Sequence, residues 1–257
     1  MDVKVEEMLD RVAEICRSAR ALLFVTGAGI SADSGLPTYR GMGGLYERHL
    51  TPEGLSIEQA LSGATWAARP ELTWKYLAEI EANCRGAEPN VAHRAMAELE
   101  RRHPGTVVFT QNVDGLHRRA GSRNVIEIHG CLHRLRCVEC GRSRQVPDFA
   151  GLALPPQCPA CQGLVRPDVV LFGEALPDRA LWDFERAWSR GFDMVFSVGT
   201  TSVFPYIAAP VIWARQSGIC TVEINPGETC VSDRVDFRLK ARAAEVMAGL
   251  MDRLQSS

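Results

Sequence analysis

The 257-residue sequence has no block of five or six like charges, and its 29 basic and 31 acidic residues leave a net charge of −2. That flat balance argues against nucleic-acid binding through a basic surface. No apolar run approaches the length of a membrane span. The N-terminal stretch MDVKVEEMLDRVAEICRSAR lacks the basic start and apolar centre of a secretory leader. A cytoplasmic protein with no membrane partner and no direct nucleic-acid contact is the expectation. No internal repeat is visible.

Cysteine, by contrast, is plentiful, with nine residues in a chain assigned to a compartment where disulfides rarely persist. Cys16, Cys84, Cys131, Cys220 and Cys230 are scattered and read as small buried hydrophobes. Cys137-x-x-Cys140, then 17 residues, then Cys158-x-x-Cys161 has the spacing of a four-thiolate zinc site. The segment between the pairs has little apolar content, so the metal would supply much of its folding energy. Four protein ligands leave no open position, which implies a structural rather than a catalytic ion. A dithiol redox pair or free thiols are the competing readings.

Apolar residues from Val5 to Ala19 recur at helical spacing. Short apolar runs at ALLFV, TVVFT (106–110), NVIEIHG (124–130), DVVLF (168–172), DMVFSVG (193–199) and ICTVEIN (219–225) read as buried strands. Helices are expected near 71–83, 90–102, 178–190, 205–217 and 241–254. Strands alternating with helices predict an α/β fold: a Rossmann-like parallel sheet with helices on both faces, plus a small zinc-binding module. The sheet would be built from residues 1–34, 84–130 and 167–257. Residues 35–83 would form a loop-and-helix insertion, and 131–166 the zinc module, a segment of little periodicity.

FVTGAGISADSG (24–35) carries Gly27, Gly29 and Ala32 at the G-x-G-x-x-A spacing of a dinucleotide fingerprint. The usual continuation is missing. No second strand ending in a ribose-binding acid follows within about 20 residues; the next stretch is rich in glycine, with Pro37 and Pro52. The glycines would still let backbone N–H groups approach a pyrophosphate. TGAGIS, TQNVDGLH, IHG, FGE, VGTTS and INPGE each follow an expected strand. Ligands of open parallel sheets lie beyond the strands' carboxyl ends, so six such ends predict one shared site.

GAGISADSGLPTYR (27–40), TQNVDGLHRRAG (110–121), IHG (128–130), the paired C-x-x-C, VRPDVVLFGE (165–174), GTTS (199–202) and EINPG (223–227) occur in this order. Together they resemble the sirtuins, NAD-dependent protein lysine deacylases, over nearly the whole chain. The resemblance implies that NAD is a consumed co-substrate, that one zinc is structural, and that the partners are acyl-lysine proteins or peptides. His129, in the H-G position, would be the base acting on a ribose hydroxyl. Asn112 would orient the ribose and water. Gln111, Asn112 and Asp114 would surround the nicotinamide ribose and carboxamide. Gly27, Ala28, Gly29, Ile30, Tyr39 and Arg40 would contact the pyrophosphate and nicotinamide side. Gly199, Thr200, Thr201 and Asn225, with Ala243, would hold the adenosine half. Val170, Phe172, Gly173 and Glu174 match the strand that pairs with the substrate backbone. His49, His93, His103 and His133 read as structural, His117 as structural or as support for the site.

Three departures stand out. PTYR replaces the commoner P-D-F-R. The loop GTTSVFPY is one residue shorter than usual before its proline. The Tyr-x-x-Arg pair that binds a succinyl carboxylate has its nearest match in Tyr76-x-x-Glu79. A carboxylate at the Arg position would repel succinyl, so acetyl or another neutral acyl group is the expected substrate. The alternatives are a mono-ADP-ribosyltransferase on the same scaffold, desuccinylase-type specificity, a nicotinamide dehydrogenase, and a non-catalytic NAD sensor.

Overall fold

The computed structural model describes residues 3–38 and 50–255. The chain begins with α1 (Val3–Ser18), which feeds β1 (Leu22–Thr26). Among the described residues, two short 3-10 turns (Ala28–Ile30 and Ala32–Ser34) and four α-helices separate β1 from the next strand: α2 (Ile57–Ala60), α3 (Gly63–Ala68), α4 (Pro70–Cys84) and α5 (Val91–Arg102). Then come β2 (Val107–Thr110), α6 (Leu116–Arg119) and β3 (Val125–Glu127). The middle of the chain holds β4 (Gly130–Cys137), β5 (Ser143–Gln145) and β6 (Val165–Val169). The last third runs α7 (Asp178–Trp188), β7 (Met194–Val198), α8 (Pro205–Gln216), β8 (Cys220–Ile224), β9 (Phe237–Leu239) and α9 (Ala243–Gln255).

Six strands form a parallel sheet in the order β3-β2-β1-β7-β8-β9. The continuous apolar runs follow from burial on both faces. Leu22 and Phe24 of β1 join the core shared with α1, α5 and α9, whereas Leu23 and Val25 join the core shared with α7 and α8. Phe196 stacks on Phe24 at 4.8 Å in the first core, and Phe109 meets Phe184 at 4.5 Å in the second. The chain builds outward from β1 first on one side, then on the other. The strand order therefore reverses between β1 and β7, the place where such sheets open a crevice.

The run DVVLF does not enter this sheet. Its strand is β6, which pairs antiparallel with β4 in a second sheet of order β5-β4-β6. The reversal starts at Gly130, whose φ of +82° favours glycine. A Cβ there would also collide with the Asp168 carbonyl. β4 alternates only over its second half, where Arg134 and Arg136, both bonded to Asp168 of β6 at 2.7 and 3.0 Å, take turns with buried Leu135 and Cys137. The short edge strand β9 carries too few residues for a period.

The insertion and the second sheet share their cores. Trp74 of α4 is fully buried against Leu135, Cys137, Phe149 and Val165. Its indole N–H donates to the Val165 carbonyl at 2.8 Å. Leu61, Leu77 and Ile80 meet Leu132, Val169 and Leu171 in an adjoining cluster. These two insertions stand over the carboxyl ends of the large sheet.

Candidate active site

The strand ends after β1, β2, β3, β7 and β8 open into one cavity of about 830 Å³. Its floor is a pair of crossing glycine loops. Gly27 N–H donates to the Val198 carbonyl at 3.1 Å and Gly29 N–H to the Gly199 carbonyl at 2.8 Å. A Cβ on Gly29 would stand 2.7 Å from the Gly199 Cα, and one on Gly199, whose φ is +60°, would strike the Ile30 nitrogen. These two N–H groups thus fasten the loops to each other instead of facing a phosphate. What the glycines supply is the close approach itself.

Ala28, Gln111, Asn112, His129, Thr200 and Asn225 line this cavity, as do Gly27, Gly29, Gly199, Thr201 and Ala243. Side-chain bonds tie them together. Gln111 donates from Nε2 to Thr200 Oγ1 at 2.8 Å, and Asn225 donates from Nδ2 to the Thr200 carbonyl at 3.1 Å. Asn112 is buried, with Nδ2 donating to the Gly27 carbonyl at 3.1 Å and to Ser31 Oγ at 3.2 Å.

Two expected residues stand back from the main cavity. Ile30 is wholly buried in the core. Asp114 borders a small adjoining cavity with Ser31, Asn112 and Cys84. It accepts from Ser31 Oγ at 2.7 Å and from Leu116 N–H at 2.9 Å. Burial outweighs these two bonds and pushes its carboxyl above the ordinary range. Tyr39, Arg40 and His49 lie outside the described residues.

His129 ends β3's extension, where Ile128 N–H continues the ladder to the Thr110 carbonyl. Its Nδ1 sits 3.1 Å from the Gln111 carbonyl, which makes Nδ1 the N–H and leaves Nε2 the lone pair. Nε2 lies 2.8 Å from the hydroxyl of Tyr206, in the first turn of α8. Burial lowers the ring's pKa from its ordinary value, against the opposing pull of the Gln111 carbonyl. The ring is therefore a neutral acceptor at pH 7. Tyr206 escaped the sequence reading because its loop departs from the usual length; Ser31 escaped because a serine after a glycine loop carries no signal of its own.

His117 supports the floor from below, with Nε2 2.9 Å from Thr26 Oγ1. His93 packs edge-on against it, ring centroids 4.9 Å apart. His103 is tied to the Ala19 carbonyl at 2.8 Å and His133 stands beside Glu81.

Val170, Phe172, Gly173 and Glu174 also line the cavity, but not as a continuous strand. β6 stops at Val169, and Leu171–Glu174 is a turn closed by the Glu174 N–H on the Leu171 carbonyl at 3.0 Å. Phe172 is bridged to the α2–α3 junction through Leu61 and Gly63. The Glu174 carboxylate is held by Arg166 at 2.6 and 2.8 Å and by Leu171 N–H at 2.9 Å. Burial raises its pKa, but these bonds outweigh it and leave the carboxyl below its ordinary value.

The cavity wall beside this turn is apolar: Leu61, Leu77, Ile80, Leu132, Val169 and Leu171. Tyr76 and Glu79 do not face it. The Tyr76 hydroxyl is bonded to Glu53 and Glu79 is exposed. The helix turns Leu77 and Ile80 inward instead, one residue on from the pair picked out by spacing. Among the described lining residues the one cation is Arg242, next to Ala243 and paired with Asp33 at 3.1 Å.

Away from the cavity, the sulfurs of Cys137, Cys140, Cys158 and Cys161 lie within 4.8 Å of one another. Cys137–Cys161 and Cys140–Cys158 are 3.5 and 3.7 Å apart. Zn–S bonds of about 2.3 Å in a tetrahedron place sulfurs about 3.8 Å apart, so the four cysteines are positioned to bind one zinc ion. Backbone N–H groups of Ala160 and Cys161 hold the Cys158 thiol down to about 6, favouring the thiolate a metal needs. Of the other cysteines, Cys16 and Cys131 are buried as expected, Cys84 and Cys220 are half-buried, and Cys230 is exposed in the loop after β8.

The Sir2 family description matches residues 27–205. The chain belongs to the Sir2 family. A similar Sir2 protein, NAD-dependent protein deacylase 2 of Pseudomonas aeruginosa, is 51% identical over 239 residues, spanning 92% of this chain and 93% of that one. A Sir2 homologue solved as its NAD complex is 38% identical with a TM-score of 0.85, covering 96% of this chain and 93% of that chain. A mutant Sir2 solved with a deacetylated p53 peptide and 3′-O-acetyl ADP-ribose is 30% identical with a TM-score of 0.82, covering 98% of each chain. No helix among the described residues of this Sir2 protein is long and apolar enough to cross a membrane.

Proposed function

We propose that this chain is an NAD-dependent protein lysine deacylase, moving the acyl group of an acyl-lysine to ADP-ribose with release of nicotinamide. The observation that carries the reading is His129. It is a half-buried imidazole with Nδ1 fixed on a backbone carbonyl and Nε2 in a cavity walled on one side by glycine loops and on the other by apolar side chains. NAD would supply the ribose carbon and its leaving group. Gln111, Thr200 and Asn225 would position the adenosine and ribose, with Gly27, Ala28, Gly29, Gly199, Thr201 and Ala243 shaping the floor. Asn112 would orient the ribose and water, and Asp114 would fix Ser31 and the loop before α6. Tyr39 and Arg40 complete the proposed cofactor contacts. His129 would take a ribose hydroxyl proton on Nε2.

The substrate chain would lie against Val170, Phe172, Gly173 and Glu174, with its acylated lysine entering beside Leu77 and Ile80. That wall offers no cation to a succinyl carboxylate, and burying the carboxylate there without a partner is costly. A neutral acyl group fits. Residues 1–34, 84–130 and 167–257 would act as the cofactor half of the cleft, and 35–83 with 131–166 as the other. We place the enzyme in the cytoplasm, acting on modified proteins and with no direct nucleic-acid or membrane contact.

The test is incubation with NAD and a panel of acyl-lysine peptides, read by mass. Acetyl-lysine should be cleared faster than succinyl-lysine, and His129→Ala should slow turnover by about 10²-fold or more. Faster succinyl removal would overturn the assigned acyl class, and full-speed turnover by the variant would overturn the base.

A further inference from the structure

The Nε2 atom that the reaction needs is already occupied. An imidazole nitrogen has one in-plane lone pair, and the Tyr206 hydroxyl sits on it at 2.8 Å. The arrangement is built rather than incidental. Tyr206 stacks on Phe204, with centroids 5.5 Å apart and planes 14° apart, and both rings stand edge-on to His129 at 5.9 and 6.0 Å. Phe204 and Pro205 start α8, so the helix start itself fixes where the phenol reaches. The Gln111 carbonyl clamps the other nitrogen. The ring cannot turn away without losing both bonds.

The geometry points to Tyr206 as a latch on the base: its hydroxyl holds Nε2 while the site is empty of cofactor and gives up that place to a ribose hydroxyl when NAD binds. This rests on the reading of His129 as the base. Tyr206 is a positioning residue, acting through His129. It keeps Nε2 partnered and the ring aimed into the cavity, and its release is coupled to arrival of the sugar. The phenol can donate to the neutral ring and accept from the protonated one, and the charge-assisted bond is the stronger. In the empty site Tyr206 therefore props up the ring's affinity for a proton against burial. Among the described residues, the Gln111 carbonyl and Phe204 also face the ring. Among the described residues, the charged side chains sharing the cavity are Glu174, Glu228 and Arg242.

The experiment compares the zinc-loaded wild type with Tyr206→Phe, which keeps the ring and its stacking. The pKa of His129 is followed by NMR of nitrogen-labelled histidine, with and without ADP-ribose as the probe, and ADP-ribose binding is measured by calorimetry. The latch predicts a His129 pKa about 0.7 lower in the empty variant, the same value in both proteins once ADP-ribose is bound, and ADP-ribose binding about five-fold tighter in the variant. Equal titration and equal binding in the two empty proteins would make Tyr206 a bystander. A difference that persists with ADP-ribose bound would mean that the phenol never leaves the base. Either result overturns the latch. All of these readouts need no turnover, so a chain that failed to deacylate would refute the enzymatic reading while leaving this test standing.

Discussion

At the scale of single residues, the site depends on atoms that are missing as much as on those present. Gly29 and Gly199 pass so close that neither has room for a methyl group. Gly199→Ala should lower stability by about 1–3 kcal/mol through overpacking and weaken NAD binding at least ten-fold, since the new Cβ pushes the two loops apart. Urea unfolding and calorimetric titration would check both parts; unchanged NAD affinity would contradict the crossing-loop floor. His129, Asn112, Thr200 and Asn225 were legible as strand-end residues because parallel sheets put function there. The inward pair Leu77 and Ile80 was not legible. Along a helix of ambiguous period a one-residue offset swaps which side chains face the cavity, and only the packing of α4 on β4 and β6 settles it.

Among the elements, the second sheet is the one whose form the sequence concealed. β4 alternates arginine with apolar residues, and β6 reads as one more buried strand. Their antiparallel pairing is set by the Gly130 turn and by Asp168 bridging Arg134 and Arg136, contacts across more than 30 positions that no local pattern reports. The four cysteines, by contrast, were legible from spacing alone, because tetrahedral thiolate ligation fixes C-x-x-C locally. Removing the ion with a chelator should release one zinc per chain and lower the unfolding temperature. Trp74 ties α4 to this sheet, so activity should fall together with the module. A chelated protein that kept full activity and melting temperature would show that the cysteines carry no structural ion.

For the molecule as a whole, the buried histidines couple stability to pH. Burial holds His93 down to about 4 and His117 well below its ordinary value. The unfolded chain binds protons at these groups near pH 6.5, and the folded chain resists them. Their contribution is complete above pH 6.5 and is lost as pH falls toward 4, about 3 kcal/mol for His93 alone. Asp114, raised by burial, works in the opposite direction above its unfolded value. Urea midpoints taken from pH 7 to pH 4 should therefore decline. His93→Gln should flatten the decline, and an unaltered slope would contradict the assignment.

The reaction itself is the claim on which the rest depends, and its products decide it. An acetyl-lysine peptide incubated with NAD should yield the deacetylated peptide, nicotinamide and O-acetyl-ADP-ribose in equal amounts by mass spectrometry. A peptide or protein made heavier by ADP-ribose, or deacetylation without loss of NAD, would contradict the account.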